Sequence, residues 1–214
     1  MKINKISVLF PIILIIASFL IGIYFYPFLP DQVATHWGSN NQVNGYSSKA
    51  FGLFFMPILS VVLFFLFISL PKIDPYKKNF DQFKKYFQNF INLIFAFFFY
   101  IYLIIIVWNL GINFNMIQVL CPAFAALFYY AGVLMSHAKR NWFVGIRTPW
   151  TMANEKVWDK THKIGGKLFK LTGLISLLSF ILPNLSLFFI LIPTLFTTIF
   201  VFIYSYVEYK KTVI

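Results

Sequence analysis

The chain has 214 residues, 60% of them hydrophobic and 11% charged, with a mean hydropathy of +0.77, a composition that excludes a soluble domain and makes lipid the solvent for most of the polypeptide. A formal charge of +12 would point to nucleic acid in a soluble protein. In a membrane protein, lysine and arginine report orientation instead, so no direct nucleic-acid binding is inferred. Cys121, the single cysteine, lies in an apolar run, which excludes an intrachain disulfide and a cysteine-based metal cluster.

The predicted fold class is an all-α integral membrane protein with six transmembrane helices, both termini cytoplasmic, and a short interfacial helix between the fourth and fifth spans. Five runs free of Asp, Glu, Lys and Arg, at residues 6–28, 51–70, 90–110, 114–136 and 185–207, each suffice for a crossing of about 20 residues. The first follows Lys2 and Lys5 but is longer than a signal-peptide core and lacks a small-residue cleavage site, so it reads as a retained span. A sixth span at 168–182 requires Lys167 and Lys170 to extend toward the headgroups. Charge placement supports it: with the N-terminus inside, every lysine and arginine except Lys49 falls on the cytoplasmic side, whereas omitting it strands Lys210 and Lys211 outside. Pro57, Pro122 and Pro193 fall inside spans, where neighbouring helices can re-satisfy the freed carbonyls. The organisation is one membrane domain over 1–214, with a first helix pair at 1–70 and a four-helix part at 86–214.

Three connections are long: an outer loop at 29–50, a basic linker at 72–88 and an inner loop at 137–166. The outer loop carries two turn signals, Asn44-Gly45 and Gly38, and is expected to form a short hairpin or extended excursion. It reads either as a solvated loop anchored by Trp37 and Tyr46 or as a recognition surface in which His36, Trp37, Tyr46 and Lys49 combine aromatic area with polar tips. Asp31 and His36 alone fall short of a zinc ligand set, and no cofactor is expected.

In the inner loop, Thr148 followed by Pro149 is an N-cap with proline at the first helical position, so a helix is expected to run from there toward His162. Trp150, Val157, Trp158 and Thr161 recur at helical spacing apart from Lys156, Lys160 and Lys163, the pattern of a basic amphipathic helix in the headgroup layer. Arg140 and Arg147 bracket Asn141-Trp142-Phe143-Val144-Gly145. This arrangement fits either a lipid-anchored elbow or a docking face for a cytoplasmic partner.

These two segments carry a resemblance. The Pro30 to Lys49 stretch, with Thr35-His36-Trp37-Gly38 and Asn44-Gly45-Tyr46-Ser47-Ser48-Lys49, resembles the N-terminal segment often paired with the SdpI family of bacterial membrane immunity proteins. Arg140 to Trp150, continued by Glu155, Trp158, Thr161-His162 and Gly165-Gly166, is similar to that family's central signature. Asn44 stands where the family pattern has an acid before Gly-Tyr, and Met152 where leucine is usual. The resemblance implies resistance to a secreted, membrane-active peptide toxin in the bacterial cell membrane, with a cytoplasmic repressor and signal transduction as a further role. On that basis the toxin or partner site is assigned to Asp31, His36, Trp37, Gly45, Tyr46 and Lys49. Structural or docking roles fall to Arg140, Asn141, Trp142, Gly145, Arg147, Thr148, Pro149, Trp150, Trp158 and His162.

The competing reading is a small transporter or exporter of a peptide or other solute, but the five clean spans contain no ionisable group for coupling. Asn92, Asn109 and Gln118 read as helix-to-helix hydrogen bonders. No nucleophile–base or paired-carboxylate constellation lies on one side of the membrane, so an enzyme is not expected.

Overall fold

A computed structural model describes residues 5–213; Lys2, used above to orient the chain, lies outside the described residues. Six helices are long and apolar enough to cross a membrane, at Val8–Phe28, Lys49–Ile73, Lys77–Asn109, Met116–His137, Glu155–Ile181 and Pro183–Thr212. The protein is therefore multi-pass.

Helix α1 (Lys5–Phe25) ends in a single 3₁₀ turn containing Pro27. Strands β1 (Gln32–Trp37) and β2 (Val43–Ser48) then form an antiparallel hairpin. The chain reverses at Gly38–Gln42, where Gly38 N–H donates to the Gln42 carbonyl at 2.8 Å and Asn41 takes a φ of 62°. Asn44-Gly45 does not turn the chain. It lies in β2 beside an irregularity that pairs His36 with Gly45.

Ser48 ends the hairpin and caps α2 (Lys49–Ile73), accepting a hydrogen bond from Phe51 N–H. The predicted basic linker is largely absent, because α3 (Lys77–Asn109) begins within it. Phe80, Phe83 and Phe87 recur at helical spacing and bury their rings with Leu134, Ala138 and Trp158. That apolar stripe extends the helix beyond the membrane run, with Lys77, Lys78 and Lys85 exposed.

Helix α4 (Met116–His137) is followed by a loop and a five-residue helix, α5 (Pro149–Ala153). The single helix expected from Thr148 to His162 is broken at Asn154, whose φ of −138° and ψ of 122° are extended. Its side chain accepts from Lys156 and Val157 N–H to start a new helix, α6 (Glu155–Ser176). His162 thus belongs to the fifth crossing, which begins at Glu155 instead of 168. A short helix α7 (Leu178–Ile181) and a 3₁₀ turn at Pro183–Leu185 lead into α8 (Ser186–Val213).

Helices α1, α2 and α3 pack together, α3 meets α4, α4 packs against α6, and α6 against α8. The α4–α6 approach depends on missing side chains: a Cβ on Gly166 would lie 2.7 Å from the Gly132 carbonyl oxygen, and one on Gly173 would lie 2.7 Å from Ala125 O. In the low-dielectric interior the Thr172 hydroxyl of α6 pairs with that of Thr197 on α8 at 3.0 Å, and the Ser179 hydroxyl of α7 donates to the Ser186 carbonyl of α8 at 3.2 Å. The hairpin sits at one end of the bundle. The α2–α3 turn, the α4–α5 loop and the start of α6 share the other.

Candidate functional site

The hairpin is held by side-chain hydrogen bonds that join it to distant segments. Asn109, at the end of α3, accepts from Ala34 N–H at 2.7 Å and donates to Ala34 O at 3.0 Å, reproducing the two bonds a neighbouring strand would make. Asn41 does the same for the turn, accepting from Met116 N–H at 2.7 Å and donating to Phe114 O at 3.2 Å. Val33 is 2% exposed among Leu29, Leu53, Tyr102 and Ile106, against Gly52 on α2, where a Cβ would overlap its methyl. The hairpin is therefore clamped to three helices, α2, α3 and α4.

The predicted outer residues separate into three groups on this scaffold. Asp31 and Lys49 form an ion pair of 2.9 Å at the hairpin base, the carboxylate side chain 92% exposed. The ammonium hydrogen-bonds the Asp31 carboxyl and holds it below the usual carboxylate range; it also lies 5.0 Å from the Tyr26 ring centroid. Trp37 packs edge-on against Trp108, with centroids 5.4 Å apart, so it anchors the hairpin. His36 and Tyr46 remain exposed. His36 Nδ1 donates to Asn44 Oδ1, and its Cβ lies where a Gly45 side chain would have to sit.

At the opposite end the loop 138–148 folds around its own buried polar groups. Asn141 is fully buried. Its oxygen accepts from Phe143 N–H at 2.9 Å and Val144 N–H at 2.6 Å, while its nitrogen donates to Lys139 O and Val144 O, both at 2.8 Å. Every hydrogen-bonding valence of that amide is thereby used within the loop. His162 Nε2 accepts from Ile146 N–H at 2.9 Å, and Nδ1 donates to Trp158 O at 2.9 Å, which requires the neutral Nδ1–H tautomer. Gly145 has a φ of +113°, and any side chain there would collide with His162 Nε2.

Trp158 stacks on His162 at 3.8 Å and donates its indole N–H to Ala138 O at 2.8 Å, fully buried. The Thr148 hydroxyl accepts from Thr151 N–H at 3.2 Å and donates to Ser205 Oγ on α8 at 3.0 Å. Thr151 completes the reciprocal cap and bonds Ile146 O at 2.8 Å. Pro149 opens the short helix, and Trp150 packs on Phe202 and Tyr206 at 5.2 and 5.0 Å. Arg140 lies over Tyr76 at 5.2 Å, and Arg147 donates to Trp142 O. Trp142 is 50% exposed and Arg147 is exposed; with Gly145, Thr148, Pro149 and Met152 they line an open cavity.

The structure thus brings the inner motif together around one loop. The family pattern described as SdpI/YfhL protein family matches residues 137–205, from the end of α4 through this loop and into α8. Over this segment the chain resembles the SdpI family. A second pattern, a domain of unknown function (DUF1648), matches residues 13–61 and so covers most of α1, the hairpin and the start of α2. Among curated proteins, Immunity protein SdpI of Bacillus subtilis (strain 168) is 27% identical over 212 residues, covering 99% of this chain and 98% of that protein. No solved structure matches.

Sequence reasoning missed residues that join the SdpI-family segment to the rest. Asp74, in the α2–α3 turn, lies in neither matched segment yet is fully buried, accepting from Tyr76 N–H at 2.6 Å and Trp142 N–H at 2.8 Å. Asn79 donates to Arg140 O at 2.6 Å from the same turn of α3. An acid isolated before Pro75 was the available signal for a turn cap. Asn109, read above as a helix-to-helix hydrogen bonder, bonds the hairpin backbone instead.

Proposed function

We propose that this protein is an immunity protein of the bacterial cell membrane, with both termini cytoplasmic, that protects its producer from a secreted membrane-active peptide by binding it. Full-length similarity to an immunity protein carries this reading. The hairpin supports it physically: its backbone is fixed to the bundle while His36 and Tyr46 point away from it, so a peptide meets side chains already positioned. Such preorganisation lowers the entropic cost of binding. A folded binder competing with lipid for the peptide reduces its free membrane concentration by mass action and needs no catalytic group.

At the other end, the exposed Trp142 and Arg147 at the open cavity favour a second role, docking of a cytoplasmic repressor. The test is survival of a sensitive bacterium expressing the chain, challenged with membrane-active peptides from related strains, beside an empty-vector control. Protection against one peptide is the expected result. Equal killing at verified membrane abundance refutes the proposal.

A further inference from the structure

We propose that the cleft between α6 and α8 binds the phosphodiester headgroup of an anionic glycerophospholipid. Lys160, Lys163, Ile164, Lys167 and Tyr204 line an open cleft. Lys160 is engaged by Glu208 at 2.7 Å, and Glu208 also takes Lys211 at 2.7 Å. Among the described residues, Lys163 and Lys167 form no ion pair or hydrogen bond, and no carboxylate lines the cleft. Two uncompensated ammonium groups beside a phenol hydroxyl match a phosphate diester in charge and donor chemistry.

Depth and direction select a lipid over free phosphate. The crossing Glu155–Ile181 has 27 residues, about 40 Å at about 1.5 Å per residue, against a hydrocarbon core of about 30 Å. Its first turns therefore project past the hydrocarbon, Lys163 lies at the hydrocarbon edge, and Lys167 lies about one turn further in, from where a long side chain extends its charge to the headgroups. Lys163, Lys167, Leu171 and Leu174 share one face of α6, the two leucines 51% and 54% exposed. On α8 the Tyr204, Phe200 and Phe196 rings stack in series, with centroids 6.0 and 5.9 Å apart. Both elements thus run from a cationic cleft into apolar stripes suited to acyl chains.

The test is native mass spectrometry of the full chain in detergent with phosphatidylglycerol, phosphatidylcholine or inorganic phosphate added. Phosphatidylglycerol should be retained over phosphatidylcholine and resist displacement by inorganic phosphate. Lys163→Gln/Lys167→Gln should lower its retention about tenfold or more, whereas Lys77→Gln/Lys78→Gln, which removes equal charge elsewhere, should not. Circular dichroism and elution volume check folding; if the double variant fails them, Lys163→Gln alone must still lower retention. Equal retention of both lipids, displacement by phosphate, or an equal loss in the Lys77/Lys78 variant overturns the proposal.

Discussion

The hairpin and the 138–148 loop are both short polar segments between apolar helices, yet they are stabilised in opposite ways. In the hairpin, the fixing groups come largely from elsewhere: Asn109 and the α4 N-terminus bond its backbone or turn, and its own His36 and Tyr46 are left outside. In the loop, its own side chains turn inward: Asn141, Thr148 and the His162-bound Ile146 hold the segment, and Trp142 and Arg147 stay exposed at its surface. A family signature therefore has two physical meanings here. The loop signature encodes folding of the segment that bears it, and the hairpin signature leaves side chains available to a partner.

Asn141→Ala should have the largest effect. It strips partners from two N–H groups and two carbonyls around a fully buried side chain, and unsatisfied buried groups cost roughly 1–3 kcal/mol each before water enters. A loss of about 3 kcal/mol is expected, read as a lower thermal midpoint in detergent and reduced abundance on a membrane immunoblot. Unchanged abundance would break the contrast, because the loop would then not depend on its own signature.

Asn109→Ala should act locally. Ala34 is fully buried and would lose both backbone partners, at a cost of about 2 kcal/mol. The hairpin amides should then exchange faster with deuterium while the α4–α6 amides keep their protection. Equal loss in both places would mean that the hairpin and the bundle unfold as one unit.

The helices were legible in the sequence because crossing a membrane demands long apolar runs, and the basic residues fixed their number. Element boundaries at the basic end were less legible. Asn154 both ends one helix and starts another, and the Phe80, Phe83 and Phe87 stripe carries α3 through a segment whose lysines resemble a linker. The hairpin turn went to Gly38 and Asn41 instead of Asn44-Gly45 because Asn41 gains partners at Phe114 and Met116, contacts that no local turn rule contains. The pairings of Asn109 with Ala34 and Asp74 with Trp142 join residues 75 and 68 positions apart. Single-sequence periodicity carries no information at that separation.

His36→Ala and Tyr46→Ala sharpen the comparison from the other side. Both side chains are exposed, so stability should stay within about 0.5 kcal/mol of the parent while protection in the survival assay falls. Trp37→Ala differs from them because the ring packs on Trp108; its loss should lower abundance as well as protection. A drop in abundance for His36→Ala equal to that for Trp37→Ala would remove the case for a recognition surface.

The smallest effect belongs to the Asp31–Lys49 pair. Lys49 holds the Asp31 carboxyl below its ordinary value of 3.8, so the pair contributes to stability above that pH, and the contribution is lost as pH falls through the depressed value. Because the carboxylate is almost wholly in solvent, water and salt screen the attraction. The Asp31 carbonyl also accepts from Lys49 N–H at 3.0 Å whatever the charge state. Asp31→Asn should therefore leave the thermal midpoint at neutral pH nearly unchanged while freeing Lys49 to move. If the variant still loses protection, the charge pair orients the hairpin face for its partner; if protection is intact, recognition rests on His36 and Tyr46 without it.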